Sequence, residues 1–430
     1  MSARWLARAS LLLVLAAAAD MVGFADLSSL AMVAVGAVGA CLVLVGGYVF
    51  LAHRGVVRWL ALGVVVLAPV AVLAIFAFHG LLWDGLVAIA LIALAAGAGR
   101  RALTTGAGGP GMPAQAVPPP KRAFLIMNPR SGGGKVARFG LKEKAEALGA
   151  EVVLLAAPGT VDVAAIARQA VADGADLLGV AGGDGTQALV AGIAAEHDLP
   201  FLVISAGTRN HFALDLGLDR DNPAACLDAL TDGVEQRIDL GIIGGRTFVN
   251  NASFGAYAEV VRSPAYRDDK RGTTLQVLPD LLTGHRGATL TVTAGAITIT
   301  GPQAVLVSNN AYDTSDVAGL GRRARLDAGA LGMVAVTVGS AMGAAALLGG
   351  RGVTILSADE VVVDADVPQI PVGIDGETVM MATPVHCAIR PRALRVRVPR
   401  DRPGTRPAAP KLNWAELRKL ASFRSAPAAT

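Results

Sequence analysis

Four long apolar runs in the first hundred residues constrain the fold more than any other feature of the sequence. They cover about residues 5–24, 27–52, 56–78 and 81–99, and each is close to the ~20 residues that cross a bilayer as a helix. The chain is 53% hydrophobic and 17% charged, which is too apolar for a water-soluble protein of 430 residues. Residues 1–101 are therefore predicted to form a transmembrane segment of about four helices.

The charges around these runs predict how the segment is oriented. Arginines precede the first run, flank the second connection and follow the fourth run, and they are Arg4, Arg8, Arg54, Arg58, Arg100 and Arg101. The other two connections carry only acidic residues and a histidine. Because basic residues are retained on the cytoplasmic side, we expect a multi-pass cell-membrane protein with both termini and the following domains in the cytoplasm.

Two alternatives apply to the apolar segment. The first run could be a cleaved signal peptide, since basic residues precede it and "LAAAAD" offers small residues for cleavage. A transporter would need polar residues in facing spans, whereas these spans are mostly Ala, Val, Leu and Gly. The tether interpretation is therefore favoured over transport.

The rest of the chain begins with a Gly- and Pro-rich linker at residues 102–121. Four buried-strand runs then alternate with helical runs, and they are "AFLIMN", "EVVLLA", "DLLGVAGG" and "LPFLVISAG". This alternation predicts a parallel sheet with helices on both faces and ligand sites beyond the carboxyl ends of its strands. An α/β parallel-sheet domain is thus expected at residues 122–238.

A second type of pattern begins near residue 239. Short runs of alternating apolar and polar residues, separated by Gly and Pro, continue to residue 399 and predict a β-sandwich domain. Residues 400–430 form a basic tail that contains the amphipathic run "NWAELRKLASFR". This run predicts a helix that either lies on anionic lipid or packs back on its own domain.

Charge and cysteine content limit the partners. The net charge is only +4 and aromatic residues make up 4%, so nucleic acid is not expected as a partner. The three cysteines are scattered and form no metal or disulfide pattern, and they are Cys41, Cys226 and Cys387. A reducing cytoplasm therefore suits the large domain.

Two glycine-rich turns follow predicted strands and indicate phosphate binding. "NPRSGGGK", from Asn128 to Lys135, lets backbone N–H groups close around an anion, to which Lys135 adds a positive charge. It is not a P-loop, because Val136 replaces the Ser or Thr that binds magnesium. "GGDGT" places Asp184 alone among glycines, where a carboxylate can hold a metal or accept a hydroxyl proton. Either turn alone also fits an ordinary tight turn.

Two further stretches carry polar residues that no fold rule requires. "AGTRNHFALDLGL" offers Thr208, Asn210 and His211 as donors after a third strand. "GIDGE" places the carboxylates of Asp375 and Glu377 close together, although Asp-Gly is also a common hairpin turn. The four stretches together are far more specific than any one of them.

In this order and spacing the sequence resembles the diacylglycerol kinase catalytic-domain family of lipid kinases, which includes sphingosine and ceramide kinases. The matching stretches, within about residues 122–398, are "NPRSGGGK", "GGDGT", "GTRNHFALDLGL", "DLGIIGGRTFVNNASFG" and "GIDGE". NAD kinases share the GGDGT pattern, but the apolar spans and the late DGE favour a lipid kinase. The resemblance implies a nucleotide between an α/β and a β-sandwich domain, and transfer of the ATP γ-phosphate to a lipid hydroxyl.

The resemblance also implies roles for individual residues. Asp184 acts with Mg²⁺ and the phosphates as the metal ligand, and Glu377 beside Asp375 takes the lipid hydroxyl proton, although relatives differ on which acid is the base. Asp239 supports the site. The implied nucleotide-binding positions are Asn128, Ser131, Gly132, Gly134, Lys135, Gly182, Gly183, Gly185, Thr186, Gly207, Thr208, Asn210 and His211.

The implied cofactors are ATP and Mg²⁺, and the implied partners are the membrane and a lipid substrate, with diacylglycerol as the default and a homodimer left open. Another lipid alcohol or a polyol phospholipid is an alternative acceptor. A catalytically inactive, nucleotide-binding regulatory protein is the non-enzyme alternative.

The sequence departs from the family pattern at two places. His211 stands where the family usually has Asp, which puts phosphate or metal handling at that corner in doubt. After Asp327, Ala328 and Gly332 replace further acids. A structural metal site found in some relatives is therefore expected to be lost.

Overall fold

The computed structural model of the protein describes residues 3–23, 27–80, 82–106, 112–155, 161–255, 258, 288–312, 323, 325–337, 352–404 and 414–422. The chain divides into two compact units. The helical unit comprises Met1–Gly109 and Pro407–Thr430, and the sheet unit comprises Pro110–Arg406. Each unit is described by itself below.

Four long helices form the N-terminal part of the helical unit, and they are α1 (Ala3–Gly23), α2 (Leu27–Ala52), α3 (Val56–Phe78) and α4 (Leu82–Gly106). Within the described residues, three stretches are long and apolar enough to cross a membrane, namely Ala34–Ala52, Val56–Phe78 and Gly85–Leu103. They lie in α2, α3 and α4, while α1, the predicted first span, is not among them. Three apolar helices thus indicate association with a membrane.

The sheet unit contains these described strands: β1 (Gln115–Ala116), β2 (Ala123–Met127), β3 (Glu151–Leu154), β4 (Leu177–Ala181), β5 (Pro200–Ile204), β6 (Gly233–Ile243), β7 (Arg246–Phe248), β8 (Asn251–Gly255), β9 (Leu290–Ala294), β10 (Ile297–Thr300), β11 (Ala304–Asn309), β12 (Leu331–Val336), β13 (Val353–Ala358), β14 (Glu360–Ala365), β15 (Gln369–Ile374), β16 (Glu377–Ala382) and β17 (Val385–Pro399). Its described α-helices are α5 (Lys135–Arg138), α6 (Leu141–Ala147), α7 (Val163–Ala172), α8 (Asp184–Glu196) and α9 (His211–Asp215). Short 3-10 helices cover Ser131–Gly133 and Pro223–Leu230.

The first sheet is mixed and has the strand order β10-β9-β14-β17-β5-β4-β2-β3, with β6 paired to β17 and to both β1 and β7. Strands β2 to β5 are parallel to their neighbours in this series. Every residue of β2, β4 and β5 is buried, which explains why these strands were recognisable as continuous apolar runs. The first hydrophobic core lies against these strands.

The second sheet is antiparallel, with the order β13-β12-β11-β8-β15-β16. A second hydrophobic core contains residues of this sheet together with residues of β9, β14 and β17. The predicted boundary between residues 238 and 239 falls inside β6. Because β17 pairs in parallel with β5 as well as antiparallel with β14, one continuous sheet joins the parallel strands to the β-rich part.

Local chemistry accounts for the helix ends near the parallel strands. The Asp162 side chain accepts a 2.9 Å hydrogen bond from the Ala165 N–H and so caps α7. The run "VARFGLKEKAEALGA", expected to form one helix, is divided into α5 and α6. Gly140 lies between them with φ of 59°, a left-handed conformation that ends a helix and suits glycine.

The described part of the tail forms helix α10 (Trp414–Ala421). Leu417 is fully buried and packs in one cluster with Ala7 of α1 and with Ala102 and Leu103 of α4. The Arg8 Nε–H donates a 3.1 Å hydrogen bond to the Ala421 carbonyl. The tail helix therefore packs on the N-terminal helices of the helical unit.

Candidate active site

Three glycine-rich turns meet beyond the carboxyl ends of β2, β4 and β5. Gly132 has φ of 56°, and a Cβ there would clash with the Ala206 carbonyl oxygen. A Cβ on Gly207 would lie 2.7 Å from the Gly182 carbonyl oxygen and 3.1 Å from Gly183 Cα. The glycines therefore let the three backbones touch, and the structure brings together the turns that the sequence placed at strand ends.

Several oxygen acceptors in these turns have no internal partner. In the described part of the chain, buried oxygens without a hydrogen bond include Asp184 Oδ1, Gln187 Oε1 and Asn210 Oδ1. The amide groups of the last two donate to the Gly182 and Gly207 carbonyls at 3.0 and 2.7 Å. Buried polar atoms are normally satisfied, so the turns present acceptors to a group that supplies donors or positive charge.

Asp184 is the first residue of the 13-residue helix α8. Burial raises the pKa of Asp184, whereas the charge of His211, the backbone N–H groups of His211 and Phe212, and the Asn250 side chain lower it. The Asp184 carboxylate therefore faces the start of α9. Its Oδ1 has no hydrogen-bond partner among the described residues.

Asp375 lies in the turn between β15 and β16 with φ of 46°. Its Oδ1 accepts the N–H groups of Asn250 and Asn251 at 2.8 and 3.0 Å, and its Oδ2 accepts the Val249 N–H at 2.8 Å. Burial raises the pKa of Asp375 to about 7, the Val249 hydrogen bond opposes this rise, and the Asp184 charge adds to it. Both oxygens thus hold the backbone of residues 249–251.

Glu377, the first residue of β16, extends from the same turn towards α8. A Cβ on Gly185 would lie 2.6 Å from Glu377 Oε1, so this glycine makes room for the carboxylate. Glu377 is exposed and lines a cavity of about 380 Å³ together with Gly185, Thr186 and Asp375. The cavity lies between α7, α8 and the β15–β16 hairpin, which leaves the Glu377 carboxylate accessible to a ligand.

Other predicted binding residues have assignable positions. Lys135 Nζ donates to the carbonyl oxygens of Ser205 and Arg220 at 3.3 and 2.7 Å, so it braces two turns rather than pointing freely outward. Asn128 Oδ1 accepts the Arg130 N–H at 3.0 Å. The half-buried and exposed positions around the turns include Ser131, Gly134, Gly183, Thr186, Thr208 and His211.

His211 differs in charge from the acid that the family pattern would place there. Desolvation lowers the pKa of His211, while the carboxylates of Asp184 and Asp215 oppose the decrease. The lowered pKa favours the neutral imidazole, which can donate one hydrogen bond without adding negative charge.

Asp239, the predicted supporting residue, is fully buried. Its Oδ1 accepts the Arg392 N–H at 2.8 Å and its Oδ2 accepts the Gly329 N–H at 2.6 Å. Asp327 pairs with the Arg325 guanidinium at 2.8 Å. No cluster of three or more His, Cys, Asp or Glu residues that could hold a metal occurs among the described residues.

Sequence reasoning missed a buried polar network behind the turns. Arg323 is fully buried and forms an ion pair with Asp215 at 2.7 Å and a 2.8 Å hydrogen bond to Asn250 Oδ1. No motif marks Arg323 in "GRRARLDAG". Asn250 lies in the family-matching stretch "DLGIIGGRTFVNNASFG", where the polar pair "NN" in a strand-like run could have indicated it.

Comparisons with known proteins show what this part of the chain is similar to. Residues 122–243 match the family model of the diacylglycerol kinase catalytic domain. The diacylglycerol kinase of Bacillus subtilis is 36% identical over 144 residues, which are 33% of this chain and 48% of that protein. The diacylglycerol kinase of Mycobacterium tuberculosis is 36% identical over 124 residues, 28% of this chain and 40% of that protein. The chain thus spans less than half the length of these relatives.

A solved structure is similar in fold. The crystal structure of a putative diacylglycerol kinase from Bacillus anthracis is 18% identical, covers 66% of this chain and 96% of that chain, and has a TM-score of 0.52. This likeness supports a mixed α/β sheet with a second sheet. The family resemblance expected from the motifs is confirmed over the matched residues.

Proposed function

We propose that this chain, whose residues 122–243 belong to the diacylglycerol kinase catalytic-domain family, is a membrane-bound lipid kinase that transfers the γ-phosphate of ATP to a lipid hydroxyl. The observation that carries the proposal is the meeting of three glycine-rich turns beside the carboxylates of Asp184 and Glu377. Phosphoryl transfer depends on positioning and charge neutralisation more than on covalent help from the protein. This arrangement supplies both.

The turns 131–135 and 182–186 hold the phosphates in this proposal. Their glycines let backbone N–H groups approach an anion, and the N-terminus of α8 favours negative charge. Thr208 and His211 add donors from the third turn.

The Asp184 carboxylate is suited to bind a divalent cation, which we take to be Mg²⁺. Its Oδ1 is buried and has no hydrogen-bond partner among the described residues, and carboxylate oxygens are the ligands this cation prefers. Mg²⁺ is usually held by one or two carboxylates together with substrate phosphates, so a single protein acid is enough. When bound, the cation neutralises charge on the phosphates.

Glu377 is the proposed general base. Its carboxylate is exposed to the cavity, whereas both oxygens of Asp375 are occupied by backbone N–H groups. Glu377 accepts the proton of the lipid hydroxyl as the hydroxyl oxygen bonds to the γ-phosphorus. The bond from that phosphorus to the bridging oxygen breaks, and ADP leaves. Asp375 positions the turn that carries Glu377.

Diacylglycerol is the proposed acceptor because the curated relatives are diacylglycerol kinases, and phosphatidic acid is then the product. Another lipid alcohol or a polyol phospholipid uses the same chemistry. In the proposed topology four spans keep both termini and the sheet unit cytoplasmic. Tethering to the bilayer raises the effective concentration of a lipid substrate.

The test is ATP-dependent phosphorylation of a panel of lipid alcohols by the purified full-length protein in detergent with Mg²⁺. We expect Glu377→Gln to lower the rate by about 10²-fold or more and Asp184→Asn to lower it by about 10³-fold. Glu360→Gln changes an exposed glutamate that pairs with His386, and this control should match the wild type. If ATP binds and no lipid is labelled, the regulatory-protein alternative replaces the kinase.

A further inference from the structure

We infer that Arg323 is a positioning residue that fixes the carboxylates of Asp184 and Asp375 through the segments that hold them, without touching the substrate. The inference rests on the kinase activity proposed above. It concerns a residue that no motif identified, and its basis is a set of directional contacts.

The Arg323 guanidinium is fully buried and faces four acceptors. Its Nε donates to Asp215 Oδ2 at 2.7 Å, and its Nη1 donates to the carbonyl oxygens of Val249 and Asn309. Its Nη2 donates to Asn250 Oδ1 at 2.8 Å. One planar group therefore joins α9, the segment before β8, and the end of β11.

Two of these contacts lead to Asp184. Because Asn250 Oδ1 accepts from Arg323, the amide nitrogen of Asn250 is the group left to face Asp184, whose pKa the Asn250 side chain lowers. Asp215 is the last residue of α9, and the backbone N–H groups of His211 and Phe212 at the start of this helix lower the pKa of Asp184. Arg323 thus holds both the amide and the helix that face this carboxylate.

The remaining contacts lead to Asp375. Its two oxygens accept the N–H groups of Val249, Asn250 and Asn251. Arg323 binds the carbonyl of the first of these residues and the side chain of the second. The same guanidinium therefore holds the backbone on which Asp375, and the turn with Glu377, is placed.

A purely stabilising role would not require this geometry. A buried ion pair gains little over a well-packed apolar pair, because removing two charges from water is costly. The side chains of Arg323 and Asp215 are 0% and 4% exposed, so both charges are desolvated almost completely. Lysine offers three donors at one point and cannot reproduce the planar fork, so the geometry is specific to arginine.

The experiment compares Arg323→Lys with Arg397→Met in the full-length protein. Arg397 is also buried, and its guanidinium donates to the carbonyls of Ala229 and Pro118, away from both carboxylates. We expect Arg323→Lys to lower kcat by about 10²-fold with the KM for ATP unchanged within about twofold. Arg397→Met should lower the unfolding temperature but leave kcat near the wild-type value. Equal kcat values in the two variants would overturn the inference.

A second measurement separates this inference from the proposed function. If the wild type phosphorylates no lipid, the kinase proposal fails, and Arg323 is then judged on thermal unfolding of Arg323→Met, Asp184→Asn and the double variant. We expect the shift of the double variant to differ from the sum of the single shifts, since the network links the two residues. Shifts that add would show that Arg323 does not act on Asp184.

Discussion

The turns "GGDGT" and "GIDGE" each contain an Asp-Gly pair, yet the structure uses the two aspartates in opposite ways. Asp184 begins a helix and keeps one buried oxygen without a hydrogen bond. Asp375 lies in a hairpin turn, and both of its oxygens accept backbone N–H groups. The aspartate of the same dipeptide is thus available to a ligand in one turn and holds the backbone in the other. Which role it takes depends on the hydrogen-bond donors that the surrounding backbone supplies.

The donors around each carboxylate account for the difference. Among the described residues, none donates a hydrogen bond to Asp184 Oδ1. At the second turn, three successive N–H groups of residues 249–251 converge on one carboxylate. We therefore expect substitutions at the two turns to separate catalysis from stability.

The largest effect is expected from Asp184→Asn. Loss of the charge that handles metal and phosphates should lower the transfer rate by about 10³-fold. The unfolding temperature should not fall, because burial already disfavours this charge. Steady-state kinetics measure the transfer rate, and thermal unfolding measures the unfolding temperature. The control is Asp228→Asn, which changes an exposed aspartate. A variant within tenfold of the wild type would assign Asp184 to the scaffold.

Asp375→Asn should show the opposite pattern. An amide presents one acceptor oxygen where the carboxylate uses two, so at least one backbone N–H loses its partner at a cost of about 1–3 kcal/mol. Denaturant unfolding in detergent measures this cost. A variant as stable as the wild type but as inactive as Asp184→Asn would place Asp375 in the chemistry.

Gly185→Ala tests the contact between the two turns. The added Cβ would lie 2.6 Å from Glu377 Oε1 and should displace that carboxylate, which lowers kcat about tenfold. Helix α8 itself should gain about 0.5–1 kcal/mol from the alanine. In a Glu377→Gln background the same substitution should cost little further activity. A further tenfold loss of kcat there would show that Gly185 does not act through Glu377.

The smallest effect concerns pH. The folded-state pKa of Asp375 is about 7, above its ordinary value of 3.8, so the folded protein holds this proton more tightly than the unfolded chain. The stabilisation is complete below about pH 4 and is lost as pH rises through 7. The unfolding temperature of the wild type relative to Asp375→Asn should therefore fall between pH 4 and 8. If the unfolding temperatures of the two proteins changed equally with pH, the raised pKa of Asp375 would be contradicted.

The sequence predicted β2, β4 and β5 well because they are buried throughout and end in glycine-rich turns. It could not predict that β17 pairs in parallel with β5, since Arg395 and Pro200 face each other across almost half the chain. The break at Gly140 was missed because helical periodicity continues on both sides of it. These features depend on long-range contacts and on single backbone angles.

For the site, motifs located Asp184 and Glu377, and the structure places Gly185 between them. No motif indicated that Lys135 bonds to main-chain carbonyls or that Arg323 lies behind the carboxylates. Arginine bonded to carbonyl oxygens leaves no spacing pattern, because its acceptors are backbone atoms that every residue possesses. Such residues become visible only when the backbone is folded.

Helix α10 gives the chain an unusual connectivity. Its Leu417 is buried with residues of α1 and α4, so the polypeptide leaves the helical unit at Gly109 and returns to it at Pro407. The sheet unit is therefore an insertion with two covalent attachments. A protease that cuts one connecting stretch would leave the unit fastened by the other, and only a double cut would set it free.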